Sequence, residues 1–224
     1  LADIIIVNSI EFKNEMKKKF SVNTIHIYNP LNKREILRLS KKKVKKIFNN
    51  KVLKIINVGR LVDQKDQMTL LKALKNLKGE ISFNLIIIGR GKNKSEIENY
   101  IYHNDMKRFV KIFYTSNPFP YIKECDLFIL SSIFEGLPNV LLEAITLKKF
   151  IISSNCPTGP KEILDNEKGG FLFKVGEHKS LSKKIIQYTK NKKSLEKKIE
   201  YSNKRLNRFD YNKNLDRYLK VINS

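Results

Sequence analysis

Cysteine is scarce in this 224-residue chain. Cys125 and Cys156 are too few for a disulfide framework and fit no zinc-ligand spacing, so a reducing cytosol is the simplest home. Long apolar runs are missing as well. No stretch approaches the roughly 18 uncharged apolar residues of a membrane span. The opening Leu1-Ala2-Asp3-Ile4-Ile5-Ile6-Val7 has neither the basic start nor the small-residue cleavage site of a secretory signal. It also lacks an initiator Met, and the sequence is expected to be a piece of a longer protein. The three histidines, His26, His103 and His178, are scattered and read as structural or surface residues. Acid is short too, with 22 Asp+Glu against 45 Lys+Arg and a net charge of +23. What is plentiful is apolar material, 41% of the residues, which supports a real core and excludes wholesale disorder. The length suits one α/β domain, or one plus a fragment.

The positive charge is unevenly spread. Residues 33–54 hold ten Lys/Arg and one acid, and residues 179–220 hold fourteen Lys/Arg and four acids. The middle of the chain is therefore nearly balanced. Three readings compete: nucleic acid, an anionic membrane surface, or the Lys-, Ile- and Asn-rich composition that an AT-rich genome encodes without any partner. The basic stretches lack regularly interleaved stacking aromatics and any recognition motif, which disfavours nucleic acid.

Short apolar runs alternate with helical patterns. Strands are expected over 3–7, 24–28, 53–58, 83–88, 110–114, 127–130, 150–153 and 171–173. Between 66 and 77 the apolar positions Met68, Leu71, Leu74 and Leu77 recur every three residues, the pattern of a core-facing helix. Ser95-Glu96-Ile97-Glu98 reads as a capping box opening another helix. A helix is expected from about Pro138 to Leu147, and a long basic helical stretch closes the chain. Uninterrupted apolar strands alternating with helices indicate α/β architecture with a doubly wound parallel sheet. Ligands of such sheets sit beyond the carboxyl ends of the strands, so chemistry is sought in the loops after Val58, Ile88, Tyr114, Leu130 and Ile152.

In the first of these loops, Gly59-Arg60-Leu61-Val62-Asp63-Gln64-Lys65, a glycine turn is followed by two cations five residues apart before a helix. They read as a diphosphate clamp at a helix start, or as ordinary solvated cations of a basic chain. The second, Gly89-Arg90-Gly91-Lys92-Asn93-Lys94, fails the dinucleotide fingerprint because Lys94 stands where the third glycine belongs, and reads as a structural turn. The fourth carries Glu135-Gly136-Leu137-Pro138-Asn139-Val140-Leu141-Leu142-Glu143. Gly136 permits close backbone approach, and Pro138 suits a first helical position. With helical spacing throughout, the two carboxylates lie about 12 Å apart. A glycosidase-like pair needs about 5–9.5 Å, so the spacing instead suits a ligand lying lengthwise between them. The alternative is that Glu143 is a surface residue at the edge of an apolar stripe.

Taken together, Gly59-Arg60-x4-Lys65, Gly89-x-Gly91 and Glu135-Gly136-Leu137-Pro138-x4-Glu143 resemble the C-terminal domain of GT-B retaining glycosyltransferases of family 4, the glycosyltransferases group 1 type. The resemblance covers about residues 51–190. Asn155-Cys156-Pro157-Thr158-Gly159-Pro160-Lys161-Glu162-Ile163-Leu164 looks like the segment that follows in bacterial members that often transfer Gal, GalNAc or GlcNAc from UDP. Ala2 to Ser9 looks like the last strand of the family's N-terminal domain, Ile27 to Leu31 like the entry to its interdomain linker, and Arg208-Phe209-Asp210-Tyr211 like the segment crossing back. The implied layout is the end of an acceptor domain at 1–30, a basic linker at 31–50, a Rossmann-like donor domain at 51–205 and a crossover helix at 206–224.

Carried onto this sequence, the resemblance implies that Arg60 and Lys65, beside Gly59, neutralise the donor diphosphate and the charge of its departure. Glu143 accepts hydrogen bonds from the ribose hydroxyls, and Glu135 contacts those of the donor sugar. Backbone N–H groups of Gly136, Leu137 and Asn139 lie near sugar and phosphates, and the Tyr114–Thr115 loop near the base. The implied reaction moves the sugar to an acceptor hydroxyl with retention of anomeric configuration, in bacterial surface polysaccharide or lipid-linked glycan assembly. No DxD-type cluster appears in the loops that matter, so neither a metal nor a cofactor is expected. The implied place is the cytoplasm, with an anionic inner membrane face as a further partner. Two alternatives stand: a phosphorylase or sugar-phosphate synthase on the same scaffold, and a catalytically silent nucleotide- or polyanion-binding module.

Overall fold

The structure, a computed structural model, describes residues 4–45, 47–48 and 51–223. Near the amino end, β1 (Ile6–Val7) and β2 (Ile25–His26) pair in parallel, joined by α1 (Ile10–Phe20). The Ser9 hydroxyl accepts the Phe12 N–H to start α1, and Ser21 ends it in the left-handed conformation at φ 55°. The expected linker, 31–50, contains α2 (Lys33–Leu39), and its positions 46, 49 and 50 lie outside the described residues, as does position 3 of the expected first strand.

The main sheet has six strands: β3 (Leu53–Val58), β4 (Phe83–Ile88), β5 (Val110–Phe113), β6 (Leu127–Leu130), β7 (Phe150–Ser154) and β8 (Phe171–Phe173). All pairs are parallel, in the spatial order β5-β4-β3-β6-β7-β8. The strands are predominantly apolar because helices cover both faces, with Lys54, Asn57, Asn84, Lys111, Ser153 and Ser154 as the polar exceptions. Ile55, Leu85, Leu127 and Phe150 are in register and face one helical layer. That layer contains α3 (Gln67–Asn76), α4 (Lys94–His103) and α8 (His178–Arg205). One residue on, Ile56, Ile86, Phe128 and Ile151 face the opposite layer, which contains α5 (Phe119–Glu124) and α6 (Asn139–Thr146). This is the doubly wound α/β fold expected from the sequence. The chain leaves β3 toward β4 and β5, then returns to lay β6 on the other side of β3, which creates the switch point where such sheets bind ligands.

Three local expectations are corrected. The helix α4 begins at Lys94 with Asn93 at its cap, so Ser95 lies inside the first turn and forms no capping box. The Asn93 amide is turned toward Asp63 instead, 2.7 Å away. Pro138 stands just before α6 with an extended backbone, ψ 98°, rather than at the first helical position. The segment from Glu135 to Pro138 is consequently loop, and the assumption of helical spacing between the two carboxylates fails. The long basic stretch is interrupted at Asn191, whose φ of −126° kinks α8, and ends before a separate α9 (Tyr211–Ile222). α9 reaches back to the amino-terminal unit, where the Arg217 guanidinium donates to the His26 carbonyl at 2.6 Å.

Candidate functional site

The loops after β3 and β6 meet at the switch point. Gly59 extends the strand ladder by donating its N–H to the Ile88 carbonyl at 3.0 Å. The β3 and β4 loops are then zipped together: Leu61 N–H donates to Arg90 O and Asn93 N–H to Leu61 O, each at 3.0 Å. A Cβ on Gly89 would stand 1.9 Å from Gly59 O, and one on Gly91 2.3 Å from Leu61 O. Both glycines are therefore there for close approach of two backbones, the structural turn expected from the sequence.

Zipped in this way, the β3 loop presents Lys65 beneath the β6 loop. Lys65 Nζ lies 2.5 Å from Glu135 Oε1, with side-chain exposures of 15% and 7%. The Ser132 hydroxyl donates to the same oxygen at 2.6 Å, and the Ser131 hydroxyl to Lys65 O at 2.9 Å. Gln64 ties the loops once more: Ile133 N–H donates to its carbonyl at 2.8 Å, and its side-chain amide donates to Phe134 O at 2.9 Å. Arg60 is exposed beside them and donates to Gln64 Oε1 at 3.2 Å. Lys65, Glu135 and Arg60 thus share one locus, two of them in an ion pair sheltered from water.

From behind, the loop before α7 (Pro160–Ile163) sets Glu135. Glu135 N–H donates to Pro157 O at 2.9 Å, and the Thr158 hydroxyl donates to Glu135 O at 2.6 Å. Beyond Glu135, Gly136 is exposed, and the Leu137 side chain is buried in the core beneath the loop. Asn139, exposed at the start of α6, accepts on its side-chain oxygen from the Asn29 amide at 2.9 Å.

Glu143 occupies a different environment. On α6 it is half-buried and lines a cleft with Pro30, Asn32, Glu35 and Phe119. Burial raises its carboxyl from 4.5 to about 7, so near neutrality it exchanges between charged and neutral forms. Tyr114 and Thr115 follow the edge strand β5, two strands from β3, and do not join the Lys65–Glu135 locus. Tyr114 is exposed, and the Arg90 guanidinium lies 4.6 Å from its ring centre. Cys156 is 3% exposed, and burial pushes its thiol up to about 11, which leaves it an inert neighbour of the site. Among the described residues no three His, Cys, Asp or Glu side chains group as metal ligands do.

Sequence reasoning did not single out the residues that fix Lys65 and Glu135 in place: Ser131, Ser132, Gln64 and Thr158. One signal was available, a Ser-Ser pair directly after a buried apolar strand, where a hydroxyl must find a partner.

Residues 40–205 match the family described as Glycosyl transferases group 1. An uncharacterised glycosyltransferase of Methanocaldococcus jannaschii is 34% identical over 172 residues, 73% of this chain and 42% of that protein. An N-acetylgalactosamine-N,N'-diacetylbacillosaminyl-diphospho-undecaprenol 4-alpha-N-acetylgalactosaminyltransferase of Campylobacter jejuni is 26% identical over 181 residues, 80% of this chain and 49% of its own. Among solved structures, the Anabaena HepE protein in complex with UDP and glucose superposes with a TM-score of 0.87 at 18% identity, covering 100% of this chain and 64% of that one. The six-stranded parallel sheet flanked by helices is the Rossmann-like α/β fold of GT-B glycosyltransferases. The chain belongs to the group 1 glycosyltransferase family, and it spans about half the length of the curated relatives it matches.

Proposed function

We propose that this chain is the donor-binding half of a retaining glycosyltransferase that takes Gal, GalNAc or GlcNAc from UDP and delivers it to a hydroxyl of a glycan or lipid-linked acceptor. The observation that carries this reading is the sheltered Lys65–Glu135 pair at the switch point, with a second carboxylate, Glu143, set apart in its own cleft. Arg60 and Lys65 supply positive charge where a diphosphate leaves, and the positive end of the α6 dipole adds to it in this reading. Glu135 meets the sugar hydroxyls, Glu143 the ribose hydroxyls, and the Tyr114–Thr115 loop lies toward the base. The leaving group needs neither metal nor cofactor in this reading, and transfer by the complete protein is expected to continue in excess chelator.

The relatives support the pathway class, since one is named for a diphospho-undecaprenol substrate. No helix among the described residues is long and apolar enough to cross a membrane. The exposed lysines of α8 fit peripheral contact with the anionic cytoplasmic face of a membrane, where lipid-linked acceptors reside. A thermal-shift screen of UDP, UDP-Gal, UDP-GalNAc, UDP-GlcNAc and GDP-mannose tests the donor reading, because a ligand stabilises the folded state according to its affinity. Stabilisation by UDP and one UDP-sugar is expected, and indifference to every nucleotide defeats it.

A further inference from the structure

Among the contacts that fasten the amino-terminal unit to the rest of the chain, which include Asn29 with Asn139 and His26 with Arg217, one adjoins the loop that holds Glu135. The Glu162 carboxylate, on α7, accepts the Ile10 N–H at 3.0 and 3.2 Å and the Glu11 N–H at 3.2 Å. These amides open α1 and have no acceptor within the helix, and a helix start favours a negative charge. The Tyr28 hydroxyl, on a side chain 6% exposed, donates to Glu162 Oε1 at 2.5 Å. Burial and that hydrogen bond both raise the Tyr28 pKa and keep the phenol protonated as a donor. The contact is reciprocal, because Glu11 Oε2 accepts the Gly159 N–H at 3.1 Å.

Gly159 is pressed against the sugar-side loop. It adopts φ +92°, and a Cβ there would lie 2.2 Å from Gly136 O and 2.7 Å from Pro138 Cδ. Its neighbour Thr158 donates to Glu135 O, and Pro157 O accepts the Glu135 N–H. A continuous series of hydrogen bonds and tight contacts therefore runs from the first turn of α1, through Glu162, Glu11 and Gly159, to Glu135.

We propose that Glu162 is a positioning residue: by docking the start of α1 onto the loop before α7, it holds Glu135 in place against Lys65. The importance of Glu135 rests on the function proposed above, whereas the mechanical link does not. Coupling of this kind acts in both directions, so seating of the acceptor-side unit and ordering of the sugar-side loop favour each other.

Amide exchange measured residue by residue on this chain tests the link, with UDP affinity measured in parallel by calorimetry. In Glu162→Ala, exchange at Ile10 and Glu11 is expected to accelerate, and exchange at Glu135 to accelerate about tenfold with core amides such as Ile129 unchanged. Glu162→Gln retains an oxygen acceptor and is expected to restore protection at Glu135. Wild-type protection at Glu135 in Glu162→Ala, or failure of the Gln variant to restore it, overturns the proposal. If Glu162→Ala does not fold, Glu11→Ala removes only the Gly159 arm, and it is read in the same way: faster exchange at Glu135 supports the link and unchanged exchange overturns it. A wild-type chain that does not bind UDP defeats the donor-site reading and leaves the exchange result to stand on its own.

Discussion

Lys65 Nζ sits 2.5 Å from Glu135 Oε1, so the cation assigned to the diphosphate and the carboxylate assigned to the sugar share one small site. Removing either partner exposes the other, with opposite consequences. Lys65→Ala takes a charge-assisted donor from the diphosphate and leaves Glu135 sheltered without its cation. UDP affinity is expected to fall by about 1–3 kcal/mol, with a lowered Tm. Glu135→Ala frees Lys65, so UDP affinity holds or rises while transfer by the complete protein collapses. Calorimetry and turnover on the two variants check this, and equal losses of UDP binding would remove the division of roles.

In the role proposed for Glu143, donor binding depends on pH. An ionised carboxylate accepts hydrogen bonds from ribose hydroxyls more strongly than the neutral acid or an amide, and burial raises the Glu143 carboxyl to about 7. UDP affinity is therefore expected to weaken as pH falls from 8 to 6, and Glu143→Gln to bind weakly at every pH. The stability effect has the opposite sign. Between 4.5 and about 7 the folded state holds the proton more firmly than the unfolded chain, so this residue's contribution to stability declines as pH rises through that window and stays low above it. Glu143→Gln is expected to raise Tm at pH 8 by a few degrees, about 1–2 kcal/mol, and to leave it unchanged at pH 4. Thermal melts at the two pH values check it.

Much of the sheet was legible because a parallel strand covered on both faces is predominantly apolar. Leu53–Val58, Phe83–Ile88 and Leu127–Leu130 match the expected runs residue for residue. Helix starts were less legible. The Ser95 pattern satisfies a capping rule, yet Asn93, turned toward Asp63 of the β3 loop, takes the cap position and the helix starts two residues earlier. Within the site, Lys65 and Glu135 could be named from loop position and spacing, but their contact at 70 residues' separation could not. The same holds for Glu162: a Glu in a short helix gives no local sign that its partners are the amides of Ile10 and Glu11, 152 and 151 residues away.

The glycines separate scaffold from binding surface. A Cβ at Gly89 would stand 1.9 Å from Gly59 O, a backbone atom that cannot yield without moving the loop that carries Lys65. Gly89→Ala is therefore expected to cost about 2–4 kcal/mol of stability and to weaken UDP binding as well. A Cβ at Gly136 would meet only the Asn8 side chain, at 3.6 Å, ordinary contact. Gly136→Ala is expected to melt within about 0.5 kcal/mol of wild type, while its affinity for a UDP-sugar falls because the added methyl occupies the approach to the backbone. Equal melting temperatures for the two variants would contradict the steric argument.

The surplus charge, finally, can be tested apart from the site. On α8, Lys190, Lys192, Lys193 and Lys197 are exposed, whereas the two cations assigned to the diphosphate stand at the far end of β3. An anionic membrane attracts such lysines by about 1 kcal/mol each near the surface, and salt screens the attraction over about 10 Å at 0.1 M. The chain is therefore expected to bind vesicles containing phosphatidylglycerol better than purely zwitterionic ones at low salt, and to lose that preference at high salt. Reversing Lys192, Lys193 and Lys197 to Glu is expected to abolish the preference while UDP affinity stays at the wild-type value. If wild type shows no preference between the vesicles, the charge belongs to composition alone. If the triple variant loses UDP binding too, α8 and the donor site are not the separate surfaces described here.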